Sequence, residues 1–201
     1  MNLRSSISKE EINRMSKAEF QGKIHILQTE AETKTAVAYL LLQKTVGIDS
    51  ETRPSFAKGK TYKVSLLQVA SEEHCFLFRL NFTGLNQPLI ELLENPAIVK
   101  VGISLRDDFT VLRKLATFSP QMCIDLQNYV SLFGIQEKSL QKIYAILFEE
   151  KISKAQRLSN WESNELTNAQ KIYAATDAWA CLKIYNLLIH IHPHELSENI
   201  S

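Results

Sequence analysis

The sequence predicts an α/β domain on a mixed sheet, an antiparallel meander followed by parallel strands, with helices on both faces. Two patterns carry this. Strand-length runs near 45–49, 63–70 and 75–80 follow one another with only short turns between them, as in an antiparallel meander. From residue 89 onward helical and strand-like segments alternate, and strand, helical crossover, strand is the pattern that makes parallel neighbours.

Taken in order, Ser8 and Glu11 have the spacing of a capping box and open a short helix to about residue 17. Residues 23–27 alternate and predict a first strand. A helix follows over 30–43, with Ala36, Val37, Tyr39, Leu40 and Leu41 on its apolar face. Thr45, Val46 and Ile48 then bring a short buried strand to Asp49 and Glu51. Ala57-Lys58-Gly59-Lys60-Thr61 is a polar turn before the strands at 63–70 and 75–80. Residues 89–93 are helical and stop before Pro96; 98–102 is a strand and 107–115 a helix. A short strand at 122–125 leads to helices at 126–133 and 140–148. The polar stretch 151–164 is mostly irregular, and Thr167 caps a long helix from 168 to about 190. No repeat, low-complexity tract or linker interrupts the chain, so a single domain over 1–201 is expected. The ends, about 1–20 and 193–201, are expected to be loosely held, with His190, His192 and His194 solvated.

With 45% apolar and 22% charged residues, the 201-residue chain has the composition of a soluble globular domain. No apolar run approaches the roughly 20 residues that span a bilayer, and no signal core follows Met1, so a cytoplasmic protein without a membrane partner is expected. Cys75, Cys123 and Cys181 are far apart and odd in number, which excludes a disulfide framework or a thiolate zinc site. A net charge of +1 excludes a strongly basic coat but leaves room for a local cationic path.

The chemistry concentrates on acids. In a strand, residues two apart share a face, so Asp49 and Glu51 present their carboxylates together where a core strand emerges. Like charges that close repel, which calls for a hard divalent cation such as Mg²⁺ or Mn²⁺ between them. Asp107 and Asp108 follow a strand ending at Gly102 and lie at a helix N-terminus, where acids are favoured. Only one of that adjacent pair can face the site. Tyr173 and Asp177 are four apart on a helix, hence on one face, with small residues between them that let the helix lie close to the sheet.

Together these stretches resemble a known family. Asp49-Ser50-Glu51, then Val101-Gly102 followed six residues later by Asp108, then Tyr173-Ala174-Ala175-Thr176-Asp177-Ala178 are similar, in order, to the three motifs of DEDD-type 3′-5′ exonucleases. The tyrosine, separated by three residues from the Asp of the last motif, marks the tyrosine subclass, with RNase D and Werner-type exonuclease domains nearest. Val64-Ser65-Leu66-Leu67-Gln68 resembles the strand those domains carry after the first motif. Ser159-Asn160-Trp161 and the run from Leu166 to Tyr173 resemble the approach to the third, so the likeness covers about 43–188.

The resemblance implies an RNase H-like fold and release of nucleoside 5′-monophosphates from 3′ ends of single-stranded or frayed nucleic acid. It implies two Mg²⁺ or Mn²⁺ ions on Asp49, Glu51, Asp108 and Asp177, with Tyr173 holding the attacking water and Asp107 as the fallback third acid. Relatives often place an aromatic directly after the Glu; this chain has Thr52-Arg53-Pro54-Ser55-Phe56, with Phe56 the candidate replacement. Gln68, Lys154, Arg157 and Trp161 are the candidate substrate contacts, with a buried strand amide the other reading of Gln68 and a partly buried loop anchor that of Trp161, and Lys151, Lys58, Lys60 and Lys63 are further candidates for a cationic path. The alternatives are a catalytically idle nucleic-acid-binding protein of the same fold and a metal-dependent nucleotide phosphohydrolase. No residue identifies itself as a reader of the 2′-hydroxyl, so DNA and RNA are not separated at this level.

Overall fold

A computed structural model describes residues 3–191. Six strands form the main sheet: β2 (Lys23–Leu27), β3 (Thr45–Thr52), β4 (Val64–Ala70), β5 (His74–Phe78), β6 (Val99–Gly102) and β7 (Cys123–Asp125), in the order β2-β5-β4-β3-β6-β7. Neighbours β3, β4 and β5 are antiparallel, the expected meander, while β6 and β7 add in parallel on one side and β2 in parallel on the other. Before this sheet, α1 (Lys9–Arg14) leads to β1 (Ser16–Lys17), which pairs in parallel with β8 (Glu150–Lys151) in a separate short ladder.

Every residue of β4 is buried, because helices cover both faces. Leu67 and Val69 pack with α2 (Glu30–Leu40), α4 (Gln87–Glu94) and α5 (Leu105–Leu112), which follow the short α3 (Leu80–Thr83) or flank it. Leu66 and Ala70 pack on the other face beneath α8 (Asn168–Leu188), with Ala174, Ala175 and Ala178. The remaining helices, α6 (Leu126–Tyr129) and α7 (Leu140–Phe148), build a second cluster against Ala180, Cys181 and Ile184 of α8. Helix α8 lies so close to β3 that a Cβ at Gly47 would stand 1.9 Å from the Ala178 carbonyl oxygen. Glycine at 47 and alanines on the helix are what permit this approach.

Differences from expectation are local. The expected helix over 126–133 splits into α6 and a 3₁₀ turn over Val130–Phe133, and α2 stops at Leu40 rather than 43. Residues 7–20 are packed rather than loose: Ile7, Ile12 and Phe20 are buried, Ala18 N–H donates to the Lys151 carbonyl, and Phe20 N–H donates to Thr176 Oγ1 at 3.0 Å. Those apolar residues gain more by covering α7 and α8 than the short segment loses in backbone freedom. His190 is exposed, whereas His192, His194 and the tail 193–201 lie outside the described residues. Among the described residues, no helix is long and apolar enough to cross a membrane.

Candidate active site

Strand β3 outruns its parallel neighbour. Its pairing with β6 covers Thr45 to Gly47 only, so Asp49, Ser50 and Glu51 project past the end of β6 while β4 still supports their other side. The crevice beyond the ends of such strands, where neighbours switch direction, is where open α/β sheets place their sites. Alternation turns Asp49 and Glu51 toward α8. There Asp177, buried at 9% exposure, completes a group of three acids whose nearest ligand oxygens all lie within 4.8 Å of one another.

Asp108 arrives from the other face. Helix α5 packs through Leu105, Phe109 and Leu112 into the core on the side of the sheet opposite α8. Its start is set by Ser104, which holds a left-handed backbone (φ 57°), and by Asp125 at the end of β7. The Asp125 carboxylate accepts from Ser104 N–H at 3.2 Å and Leu105 N–H at 2.9 Å, satisfying amides that the helix leaves free. This aims Asp108 at β3, where Ser50 Oγ donates to Asp108 Oδ1 at 2.5 Å, while Asp107 is exposed. The fourth acid is thus 108, and the fallback Asp107 points to solvent.

The site is electrostatically unfavourable as four bare carboxylates. Burial first, then Asp108, Glu51 and Asp177, push the Asp49 carboxyl far above its ordinary range. Burial, Asp177 and Asp108 raise Glu51 to about 9, against the partial relief of Arg157. Burial raises Asp108 and Asp177 to about 7 each, opposed by the Ser50 hydrogen bond at the former and by the Tyr173 hydrogen bond and Lys154 at the latter. Oxygen-only donors that cannot all ionise without a counter-charge are the donor set that hard divalent ions prefer.

This has a measurable consequence in metal-free protein. Because the folded pKa values lie above the unfolded ones, the folded state holds protons that the unfolded chain releases, so stability falls as pH rises from the ordinary carboxylate range toward about 9. In EDTA the melting temperature is expected to be at least about 5 °C lower at pH 9 than at pH 6, and added Mg²⁺ should flatten that slope. A melting temperature independent of pH in EDTA would remove the electrostatic account.

The cleft of about 270 Å³ over these acids is walled by Ile103, Leu140 and Ile152 and carries Ser153, Lys154, Arg157 and Tyr173. Tyr173 is 8% exposed and stands one turn from Asp177 on α8, where the two side chains shift each other's pKa and line the same cleft. Lys154 acts on Asp177 and Arg157 on Glu51, so both expected cations do face the acids. Other expected contacts lie elsewhere. Gln68 is fully buried beside Asp49 in the ladder, with no hydrogen-bond partner on either amide atom among the described residues. Trp161 is also fully buried, 6.0 Å from the Tyr173 ring between centroids. Neither presents a surface to substrate; both support the site from beneath. Lys151 donates to the Asn13 carbonyl at 2.6 Å and is committed to α1. The segment carrying Lys154 and Arg157 is pinned by Trp161, by Gln170 Nε2 donating to the Asn160 carbonyl at 3.2 Å, and by buried Arg79 donating to the Ser163 and Asn164 carbonyls. Lys58, Lys60 and Lys63 are exposed on the segment between β3 and β4, and Phe56 there is 85% exposed. Sequence reasoning missed Ser50 and Asp125, which fix the place of Asp108, and the cleft-wall residues Ile103, Leu140, Ile152 and Ser153.

Comparison with known proteins agrees with this geometry. A family model described as 3′-5′ exonuclease matches residues 24–191. The chain is 33% identical over 156 residues to the bifunctional 3′-5′ exonuclease/ATP-dependent helicase WRN of Mus musculus, covering 71% of this chain and 11% of that protein. It is 31% identical over 180 residues to ribonuclease D of Gluconacetobacter diazotrophicus, covering 88% of this chain and 44% of that one. The chain therefore spans less than half the length of either relative. The crystal structure of Trypanosoma brucei RNase D in complex with RNA U12 superimposes with a TM-score of 0.74 at 19% identity, covering 86% of this chain and 64% of that one. The mixed sheet and its helices are the RNase H-like fold of such domains. With most of its length matched, and its acids gathered at the end of β3, the chain belongs to the 3′-5′ exonuclease family.

Proposed function

We propose that this chain is a metal-dependent 3′-5′ exonuclease that shortens single-stranded or frayed nucleic acid from the 3′ end, releasing nucleoside 5′-monophosphates. The observation that carries it is the convergence of Asp49, Glu51 and Asp177 within 4.8 Å, with Asp108 at their side, from one strand and two helices remote in sequence. Asp49, Glu51, Asp108 and Asp177 would hold two Mg²⁺ or Mn²⁺ ions. Bound there, such ions acidify a water and stabilise charge on the leaving 3′ oxygen.

The chain's own residues do the rest. Burial holds the Tyr173 hydroxyl protonated, raised further by Asp177 and Glu51, so its role is to orient a water rather than to take its proton. Lys154 and Arg157 meet the backbone phosphates that enter the cleft, and Ile103, Leu140 and Ile152 keep bulk water from its wall. All of these contacts fall on the phosphate shared by DNA and RNA, and the fold neighbour crystallised with RNA U12 makes RNA one arm of any test.

The test is incubation of purified chain with 5′-labelled DNA and RNA oligomers in Mg²⁺, Mn²⁺ or EDTA. A ladder of products shortened one nucleotide at a time, absent in EDTA, is the expected result. Intact oligomers under every condition, or hydrolysis confined to free mononucleotides, would overturn it.

A further inference from the structure

We propose that Ser50 is a positioning residue that sets the affinity of the second, weaker metal site by holding Asp108. This rests on the two-ion reading of the acids and adds to it a residue that is not itself a ligand. Three acids are gathered from the α8 side of β3, and Asp49, Glu51 and Asp177 need no help from α5 to come together. Asp108 differs in every respect. It belongs to the helix on the opposite face, it is absent from the group of three, and two further acids, Asp107 and Asp125, repel it.

Ser50 supplies what is missing. Alternation along β3 places it on the α5 side, in register with Leu67, whereas Asp49 and Glu51 face α8. Because β6 pairs no further than Gly47, nothing stands between Ser50 and the first turn of α5. Its hydroxyl therefore reaches Asp108 Oδ1 at 2.5 Å, tying the helix acid to the strand that carries Asp49 and Glu51. A fixed partner of this kind removes the rotational freedom an acid must otherwise give up on coordination, and losing it typically weakens metal affinity about 10–100-fold.

The experiment is a Mn²⁺ titration of metal-stripped full chain, with free ion followed by electron paramagnetic resonance. Wild-type protein is expected to bind two ions with different affinities. In Ser50→Ala the tighter class stays as in wild type and the weaker class loses about tenfold in affinity. Ser50→Thr, which keeps the hydroxyl, restores it. Asp108→Asn weakens the same class by more than Ser50→Ala, because it removes the ligand and not only its partner, and the double variant adds nothing to Asp108→Asn, as expected for residues acting through one contact. Two ions bound by Ser50→Ala as tightly as by wild type, equal weakening of both classes, or failure of threonine to rescue would each overturn the assignment while leaving the exonuclease reading intact. Wild-type protein that binds no Mn²⁺ would overturn that underlying reading instead.

Discussion

Asp177→Asn is expected to lower the rate of nucleotide release by more than about 10³-fold while leaving the protein at least as stable as the wild type. The first half follows from ligand chemistry. Residues that merely orient a ligand are worth about 10–100-fold, and Asp177 is itself one of three acids within 4.8 Å, so its loss removes charge and a donor at once. The second half follows from electrostatics. Asp177 raises the pKa of both Asp49 and Glu51, so a neutral isostere relieves repulsion that the metal-free fold carries. In EDTA at pH 8 the variant should therefore melt at or above the wild-type temperature. That pairing separates loss of function from loss of fold, since a site built of mutually repelling acids trades stability for chemistry. Asp49→Asn should behave alike, given that burial and three neighbouring acids all push its carboxyl upward. Undiminished hydrolysis in both variants would reject the site outright.

How much of this was legible in the sequence depends on the range of the interaction. Period-two alternation put Asp49 and Glu51 on one face, and period-four spacing put Tyr173 over Asp177; both depend only on local backbone geometry, and both hold in the structure. The choice between Asp107 and Asp108 needed the direction of α5, which is fixed by Asp125 from another strand through the amides of Ser104 and Leu105. An Asp directly before a helix signals a cap for its own helix, and Asp125 does accept from Gln127 N–H, but its second duty across the sheet has no local sign. Ser50 was hidden for the same reason: a serine between two acids announces nothing until β6 is seen to stop short. Burial was legible only in part: an anchoring Trp161 and a buried Gln68 are among the readings, but their complete enclosure is not. Gln68 and Trp161 are polar or amphipathic types usually found at least partly exposed, yet α8 lies close enough to β3 and β4 to seal both.

Tyr173→Phe should lower kcat by about 10²-fold with little change in KM or in Mn²⁺ binding, and without altering the shape of the pH–rate profile. The three readouts answer different questions. Phenylalanine keeps the ring that packs on Trp161, so the support beneath the site survives and only the hydroxyl is lost. That hydroxyl sits on the face of α8 that carries Asp177, and the ring below it is buried against Trp161, so its placement beside the acids does not depend on substrate. Its pKa is driven upward by burial and by Asp177 and Glu51, so it does not titrate in any accessible range and contributes no limb to the profile. Limbs are expected instead from groups such as Asp108 and Asp177, displaced toward neutrality by burial, which cations held there would bring back down. A water-orienting role therefore predicts a uniform drop at every pH. Disappearance of the alkaline or acidic limb in the variant would make Tyr173 an acid–base group, and loss of Mn²⁺ binding would make it part of the metal site.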